Sequence, residues 1–446
     1  MKTNVEQLSP ISKKLMIEIE SEEVDRRIDQ AYREIRKHAK IKGFRPGKVP
    51  LKLLERYYGK QVIEDVQKEL IGETFPKALQ ESELYPLNFP VLEKGPIERG
   101  KSFKYAAIME VRPEIQLGEY LGLQVEKQEP TVSDEDVQER LEQIRKSQGK
   151  LKPVEPERPV QEGNYAIVEY EAFSEDKPLE GMKATNFMIK VGSGDFHPDL
   201  ERGLLGAKKG DQREIHVEFE EDYYHSLLAG KSVDFKVKVV DIKYLELPEL
   251  DDEFAKRLDP ELENLDALKA KVRELLLEEK ERKAEREAKE QLMEKISRDI
   301  NIELPQSLVE SEIINSIESV KQDLQRSGAN LEKAGLSEEK LREDLRPSAE
   351  KKVKNSLILT EVAKRENIIV TEEDLDQAFE DLANATGQEA GPLRRYYEAR
   401  GLMDSLKQRL LEQKTLNYLL EHATIITKQG GVDTNKSTDS NEKETD

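Results

Sequence analysis

From Glu278 to Glu290 the chain runs through thirteen residues of which eleven are charged, with only Ala284 and Ala288 apolar. On either side apolar residues fall at helical spacing: Leu268, Val272, Leu275 and Leu276 before the run, Leu292, Met293, Ile296 and Ile300 after it. Opposite charges four residues apart (Glu278–Arg282, Glu279–Lys283, Glu285–Lys289) support a helix through the gap without tertiary burial. At 1.5 Å rise per residue the polar stretch covers roughly 20 Å. A helix with so long a polar middle cannot thread one compact core. The pattern predicts an arm that crosses solvent, and its interrupted seam disagrees with a heptad-regular coiled coil.

Composition agrees with an extended, many-lobed chain. Of 446 residues, 36% are apolar and 37% charged, against a charged share of about 25% in ordinary soluble domains. The length suggests two to four domains at roughly 100–200 residues each. With no cysteine, a disulfide framework, a thiolate zinc site and a thiol nucleophile are excluded. The first residues, MKTNVEQLSPISKKLM, contain no apolar h-region, and no run approaches the roughly 18 apolar residues of a membrane span. A soluble, cytoplasmic protein without a membrane partner is expected. No G-x-x-x-x-G-K-[ST] loop occurs, so nucleotide-driven cycling is not expected, and the sequence points to no cofactor and no metal.

The net charge is −21, which argues against coating nucleic acid along the whole length. The charge is unevenly placed. Residues 1–60 hold 15 basic and 9 acidic side chains, a net of +6, which leaves −27 for residues 61–446. Within 33–60 ten basic residues (Arg33, Arg36, Lys37, Lys40, Lys42, Arg45, Lys48, Lys52, Arg56, Lys60) face only Glu34 and Glu55. One end is built to meet something anionic.

That end reads as helix, loop, helix. Ser21 is placed as an N-cap with Glu22, Glu23 and Asp25 after it. Val24, Ile28, Tyr32, Ile35 and Ala39 form one apolar stripe. The pattern breaks over Ile41–Pro50, where two glycines and two prolines make a loop and Pro50 opens the next helix. Phe44 sits between flexible, basic neighbours. Two readings stand: an exposed ring that stacks on a structured RNA and protein surface beside Arg45 and Lys48, or a ring tucked into the domain's own core.

The segment Gly43-Phe44-Arg45-Pro46-Gly47-Lys48-Val49-Pro50 resembles the signature loop of trigger factor, the family of bacterial ribosome-associated chaperones. The resemblance implies that Gly43, Phe44, Arg45, Pro46, Gly47 and Lys48 dock on the ribosome near the nascent-chain exit tunnel, against ribosomal protein and rRNA. Pro46 stands where many relatives carry Lys, which removes one charge from the tip.

After a helix around Val62–Leu79, Phe103–Val111 reads as a late strand. Ser133 caps a linker helix with Val137, Leu141 and Ile144 along one seam. From about 151 to 246 the period becomes two: Ile215, Val217 and Phe219 alternate with Glu214, His216 and Glu218, and Val233, Phe235, Val237 and Val239 with Asp234, Lys236 and Lys238. The stretch from Gly192 to Gly210 resembles the FKBP-type prolyl isomerase segment, a short helix over a sheet followed by a glycine turn, and is collinear with the middle domain of trigger factors. Carried over by position, the resemblance implies a pocket of Tyr170, Phe187, Phe196, Tyr223 and Phe235. Leu179 stands where that family has Phe, His197 where it has Ile, Leu200 where it has Phe or Trp, and Asp199 where it has Gly. These aromatics make either a working isomerase pocket or the core of a sheet that no longer catalyses. A role for His197 as base or metal ligand is disfavoured, since no second ligand is near it in sequence.

Beyond Leu247 the pattern is helical to about 423. Pro305 breaks it, and Val309, Ile313, Ile317, Val320 and Leu324 return along an antiparallel helix. Further helices start at Ser337 and Thr371 and run through Leu402–Leu420. A helical body with arms offers a cradle for unfolded chains, as the family resemblance also implies, and the polar tail from Gly430 is expected to be disordered.

The expected fold class is α+β and multi-domain, with an α+β N-terminal domain, an FKBP-like antiparallel sheet and an all-α C-terminal domain with helical arms. The expected division is 1–115 for ribosome binding, 116–150 as a linker with a helix, 151–246 for the isomerase, 247–429 for substrate binding and 430–446 as the tail. The expected function is an ATP-independent, ribosome-associated chaperone for nascent and unfolded polypeptides with peptidyl-prolyl isomerase activity. The alternatives are a prolyl isomerase with recruitment lobes and a chaperone with an inactive isomerase domain. Whether the free chain pairs weakly with a second copy stays open.

Overall fold

The fold is described from a computed structural model over residues 1–428, except 43, 46, 156–157, 175–176, 195, 222, 224–227, 328 and 332–333. The expected tail and loop positions Gly43 and Pro46 lie outside the described residues. In chain order the elements are β1 (Lys2–Gln7), β2 (Ser12–Ile19), α1 (Ser21–His38), α2 (Leu51–Glu81), β3 (Val91–Lys94), β4 (Phe103–Glu110), β5 (Gln124–Gln128), α3 (Asp134–Ser147), β6 (Lys150–Pro153), β7 (Tyr165–Ser174), β8 (Lys177–Lys190), α4 (Pro198–Leu204), β9 (Gln212–Glu218), β10 (Ser232–Glu246), α5 (Asp252–Leu258), α6 (Leu265–Arg298), α7 (Gln306–Arg326), α8 (Glu338–Arg365), α9 (Glu372–Thr386), α10 (Ala390–Ala399), α11 (Met403–Glu421) and β11 (Thr424–Lys428). Among the described residues no helix is long and apolar enough to cross a membrane.

The chain divides into two compact units, Met1–Val125 with Lys289–Ile425, and Glu126–Ala288 with Ile426–Asp446. In the first, an antiparallel sheet of order β1-β2-β4-β3 lays Leu15, Ile17, Phe103, Tyr105, Ala107 and Met109 against the stripe Val24, Ile28, Tyr32 of α1 and Leu54, Val62, Val66, Leu70 of α2. The cap of α1 differs from expectation: Glu20 occupies the N-cap position, Ser21 is already helical, and no side chain caps the end. The favourable placement of Glu22 and Glu23 in the first turn is retained. Pro50 is the N-cap of α2, as its fixed φ suits.

The stripe Val309, Ile313, Ile317 on α7 is buried against Ala349, Val353 and Leu357 of α8. The partner of α7 is therefore the helix that follows it. Lys321 pairs with Glu338 at 3.0 Å, while Glu310 reaches Arg342 at 3.0 Å and also Arg346, the order of an antiparallel hairpin. Ser337 caps α8 as expected, and Thr371 caps α9 in a reciprocal box with Asp374.

In the second unit a five-stranded antiparallel sheet has the path β6-β10-β7-β8, with β9 paired to β10. The alternation read from the sequence is realised: Ile215, Val217, Val233, Phe235, Val237 and Val239 all point into the core. Beside it, Ser133 caps α3 in a box with Asp136, and Val137 and Leu141 pack with Phe254, Ala255, Leu268 and Val272 of α5 and α6. The expected solvent-crossing arm is modified here. Glu279 bonds Arg140 at 2.7 Å and Lys280 bonds Asp136 at 2.7 Å, and Ala284 and Ala288 are buried. The charged run of α6 is thus held against α3 by long-range ion pairs, alongside the expected Glu278–Arg282 pair at 2.9 Å. Glu279, expected to pair with Lys283, turns to α3 instead.

Candidate functional site

The basic loop of the first unit is pinned at both ends. Ala39, at the end of α1, and Val49, before α2, are buried in the core, the latter completely. Between them the backbone closes on itself: Gly47 N–H donates to Arg36 O at 2.8 Å, Phe44 N–H to Ile41 O at 3.0 Å and Lys48 N–H to Arg45 O at 3.0 Å. Gly47 sits at φ +84°, the left-handed region where a side chain is strained. The two readings of Phe44 are thereby separated: the ring stays 41% exposed. All ten basic residues from Arg33 to Lys60 are exposed. Among the described residues only Lys37 of that set is in an ion pair, with Glu34. Leu51 and Tyr57, 46% and 65% exposed, add apolar surface at the start of α2.

In the second unit the five carried-over aromatics come together from five places in the chain. Tyr170 on β7 meets Phe187 on β8 edge to face at 5.4 Å and Phe235 on β10 at 6.0 Å. Phe187 in turn meets Phe196, just before α4, at 5.6 Å. Phe235 is fully buried as the floor, and the other four are partly buried against the same core. Two further rings complete the cluster. Phe219, read only as an alternating strand residue, lies 4.6 Å from Tyr223 and 6.3 Å from Phe235. His197 lies 5.0 Å from Phe219 and 6.4 Å from Tyr223. The signal for Phe219 was its inward phase, two residues after the buried Val217 and one past the end of β9.

The departures from the FKBP pattern fall in different places. Leu200 is buried under α4, and Leu179 packs at the rim of the core. His197 is the N-cap of α4: its Nδ1 accepts the Asp199 N–H at 3.3 Å. Asp199 itself is exposed, 3.4 Å from Arg202. Tyr170 has its phenol pushed up by burial alone, so the ring faces the cluster as a neutral, apolar body with one hydroxyl.

One buried charge adjoins the cluster that sequence reading passed over. Glu201, in α4, is 4% exposed. Its carboxylate accepts N–H groups from Gly192 at 2.8 Å, Gly194 at 3.2 Å and Phe196 at 3.0 Å, with the Ser193 hydroxyl at 3.4 Å. Burial pushes this carboxyl up, but the hydrogen bonds from the segment 192–196 outweigh it and hold it below the ordinary range.

What the arrangement can do chemically is limited and definite. Among the described residues the five rings present an apolar, aromatic-walled surface. Comparison with known proteins gives the same two sites a common frame. A family model for the bacterial trigger factor protein matches residues 1–144, one for its C-terminus residues 264–421, and one for FKBP-type peptidyl-prolyl cis-trans isomerase residues 156–240. The trigger factor of Halalkalibacterium halodurans is 36% identical over 418 residues, 93% of this chain and 97% of that protein. That of Geobacillus thermodenitrificans is 38% identical over 416 residues, 92% of this chain and 96% of that protein. A solved structure, described in terms of promiscuous substrate recognition in the folding and assembly activities of the trigger factor chaperone, superposes with a TM-score of 0.50 at 25% identity, covering 94% of this chain and 99% of that one. The chain therefore belongs to the trigger factor family, chaperones that carry an FKBP-type peptidyl-prolyl cis-trans isomerase domain.

Proposed function

We propose that residues Gly43, Phe44, Arg45, Pro46, Gly47 and Lys48 dock this chaperone on the ribosome beside the nascent-chain exit, with Phe44, Arg45 and Lys48 as the main contacts. The observation that carries the reading is an exposed aromatic ring set among exposed, largely unpaired cations on a chain that is otherwise strongly acidic. Guanidinium and ammonium groups bind phosphate oxygens, a ring stacks on an unpaired base or packs on a protein surface, and the acidic remainder is kept off rRNA by like charge. The setting of this work is the cytoplasm, where ribosomes are.

In this scheme residues 1–115 dock, 116–150 link, 151–246 isomerise and 247–429 hold the client, with 430–446 as a tail. Apolar side chains left exposed in the C-terminal helical region, such as Ile314 on α7, Ile369 between α8 and α9 and Tyr396 on α10, hold emerging and unfolded chains weakly. Release needs no nucleotide.

The aromatic cluster binds the X–Pro bond. Rotation about a peptide bond is opposed by amide resonance, a barrier of about 18–20 kcal/mol. That resonance places negative charge on the carbonyl oxygen, which water stabilises. Moving the bond onto the surface formed by Tyr170, Phe187, Phe196, Tyr223 and Phe235 strips that water and favours the twisted, less polar amide. No proton has to move. A His at 197 and a Leu at 200 make the wall more polar and smaller than an all-aromatic one, which lowers the rate without changing its physical basis.

A photoreactive phenylalanine analogue at position 44, compared with one at Tyr85, tests the docking. Tyr85 lies in the same unit and is 81% exposed, so exposure alone is controlled. Ribosomal components are expected to crosslink from position 44 and not from position 85. Equal crosslinking from both positions would overturn the docking site.

A further inference from the structure

Among the described residues Glu201 is the only charged side chain that is buried. A carboxylate taken out of water must be compensated, and no ion pair to it occurs among the described residues. Its partners are the backbone N–H groups of Gly192, Gly194 and Phe196 and the hydroxyl of Ser193. Gly192 and Gly194 have φ of +82° and +75°, the left-handed backbone that lets successive N–H groups converge into a concave anion site. Such a nest ordinarily holds an external anion. Here the chain fills it with its own carboxylate, delivered by α4.

The clamped segment is the one that carries Phe196. One bonded N–H belongs to Phe196 itself, and among the described residues its ring meets the cluster at Phe187, at 5.6 Å. The backbone at Gly192, Gly194 and Phe196 therefore sets where that wall of the pocket stands, and Glu201 holds it there. We propose that Glu201 is a positioning residue of the isomerase: by holding the N–H groups of Gly192, Gly194 and Phe196 it keeps the Phe196 ring against Phe187. This rests on the reading of the aromatic cluster as the isomerase pocket. A neutral amide in its place offers one acceptor oxygen instead of two and turns a donor toward backbone donors. A wall residue displaced by about 1 Å costs on the order of a hundredfold in rate.

The test uses the full chain in a protease-coupled assay on a proline-containing peptide, with unmodified protein, Glu201→Gln, Phe196→Ala and the double variant. Glu201→Gln is expected to lower kcat/KM by about ten- to a hundredfold. The amides of 192, 194 and 196 should exchange faster with solvent while those of β7 and β10 stay protected. Because Glu201 acts through Phe196, the double variant should be no slower than Phe196→Ala alone, within about threefold. A purely structural role predicts independent, multiplying losses. If Glu201→Gln opens the whole sheet, Glu201→Asp keeps the charge one methylene short and is read the same way. A wild-type rate in the folded variant, or losses that multiply, overturns the proposal. A parent chain with no isomerase rate overturns the pocket reading instead, and the proposal with it.

Discussion

Truncating Phe235 to alanine removes the floor of the aromatic cluster. The ring is fully buried, 6.0 Å from Tyr170 and 6.3 Å from Phe219. Phe→Ala in a packed core costs about 3–5 kcal/mol, because the lost contacts leave a cavity that collapses only in part. Of this, each aromatic pair accounts for about 0.5–1.5 kcal/mol. The chain has several domains and no tryptophan, so a single denaturation curve does not isolate the effect. Amide exchange strand by strand does. At 1.4 kcal/mol per factor of ten, opening of β7, β9 and β10 should become easier by about two to three and a half orders of magnitude. The amides of α1 and α2, in the other unit, should keep their rates. Isomerase kcat/KM should fall in step at a temperature where the sheet is still formed. An acceleration below about tenfold in β10, or an equal one in α1 and α2, would refute the placement of Phe235 as a local keystone.

Other consequences are as specific. A Cβ added at Gly203 would meet Ile215 Cδ1 and Cγ1 at 2.7 Å, so Gly203→Ala should destabilise the α4–β9 contact by about 1–3 kcal/mol, seen as faster exchange in α4. At Gly47 nothing lies within 4 Å but φ is +84°. Gly47→Ala should therefore cost about 1–2 kcal/mol of loop conformation and weaken ribosome binding with an unchanged circular dichroism spectrum. The depressed Glu201 carboxyl stabilises the 192–196 segment fully above the ordinary carboxylate value of about 4.3, and that contribution is lost as pH falls through its lower folded value. Exchange at the amides of Gly192, Gly194 and Phe196, corrected for intrinsic rates, should rise in acid in the parent chain and be flat with pH in Glu201→Gln.

Where neighbours in sequence decide the structure, the sequence was readable. The alternation through Val233, Phe235, Val237 and Val239 gave β10, and the Ser133 and Thr371 boxes marked true helix starts. Ser21 misled by one residue because a cap is a matter of φ and ψ, and Glu20 already has the extended backbone. Long-range pairing was hidden. Glu279 meets Arg140 across 139 positions, which local i,i+4 charge pairing masks, and α7 packs on α8 because their apolar stripes match, which spacing within α7 alone does not tell. At the sites, family resemblance located the five rings, but the exposure of Phe44 depended on where Ala39 and Val49 anchor the loop. Glu201 looked like any solvated charge on a short helix. Its burial follows from the N–H groups that Gly192, Gly194 and Phe196 turn toward it, two of them on glycines in left-handed conformation, and no helical pattern encodes that.

The central claim is that a small basic tip attaches an otherwise acidic chain to the ribosome. The most direct measurement is ribosome co-sedimentation across a range of salt, for the parent chain and for one carrying Phe44→Ala, Arg45→Ala and Pro46→Ala together. The parent should bind at low salt and lose affinity steadily as salt rises, since binding releases cations condensed on rRNA and added salt makes that release less favourable. The triple variant should fail to co-sediment at every salt concentration while its peptide isomerase rate stays that of the parent. Unchanged co-sedimentation by the triple variant would contradict the account.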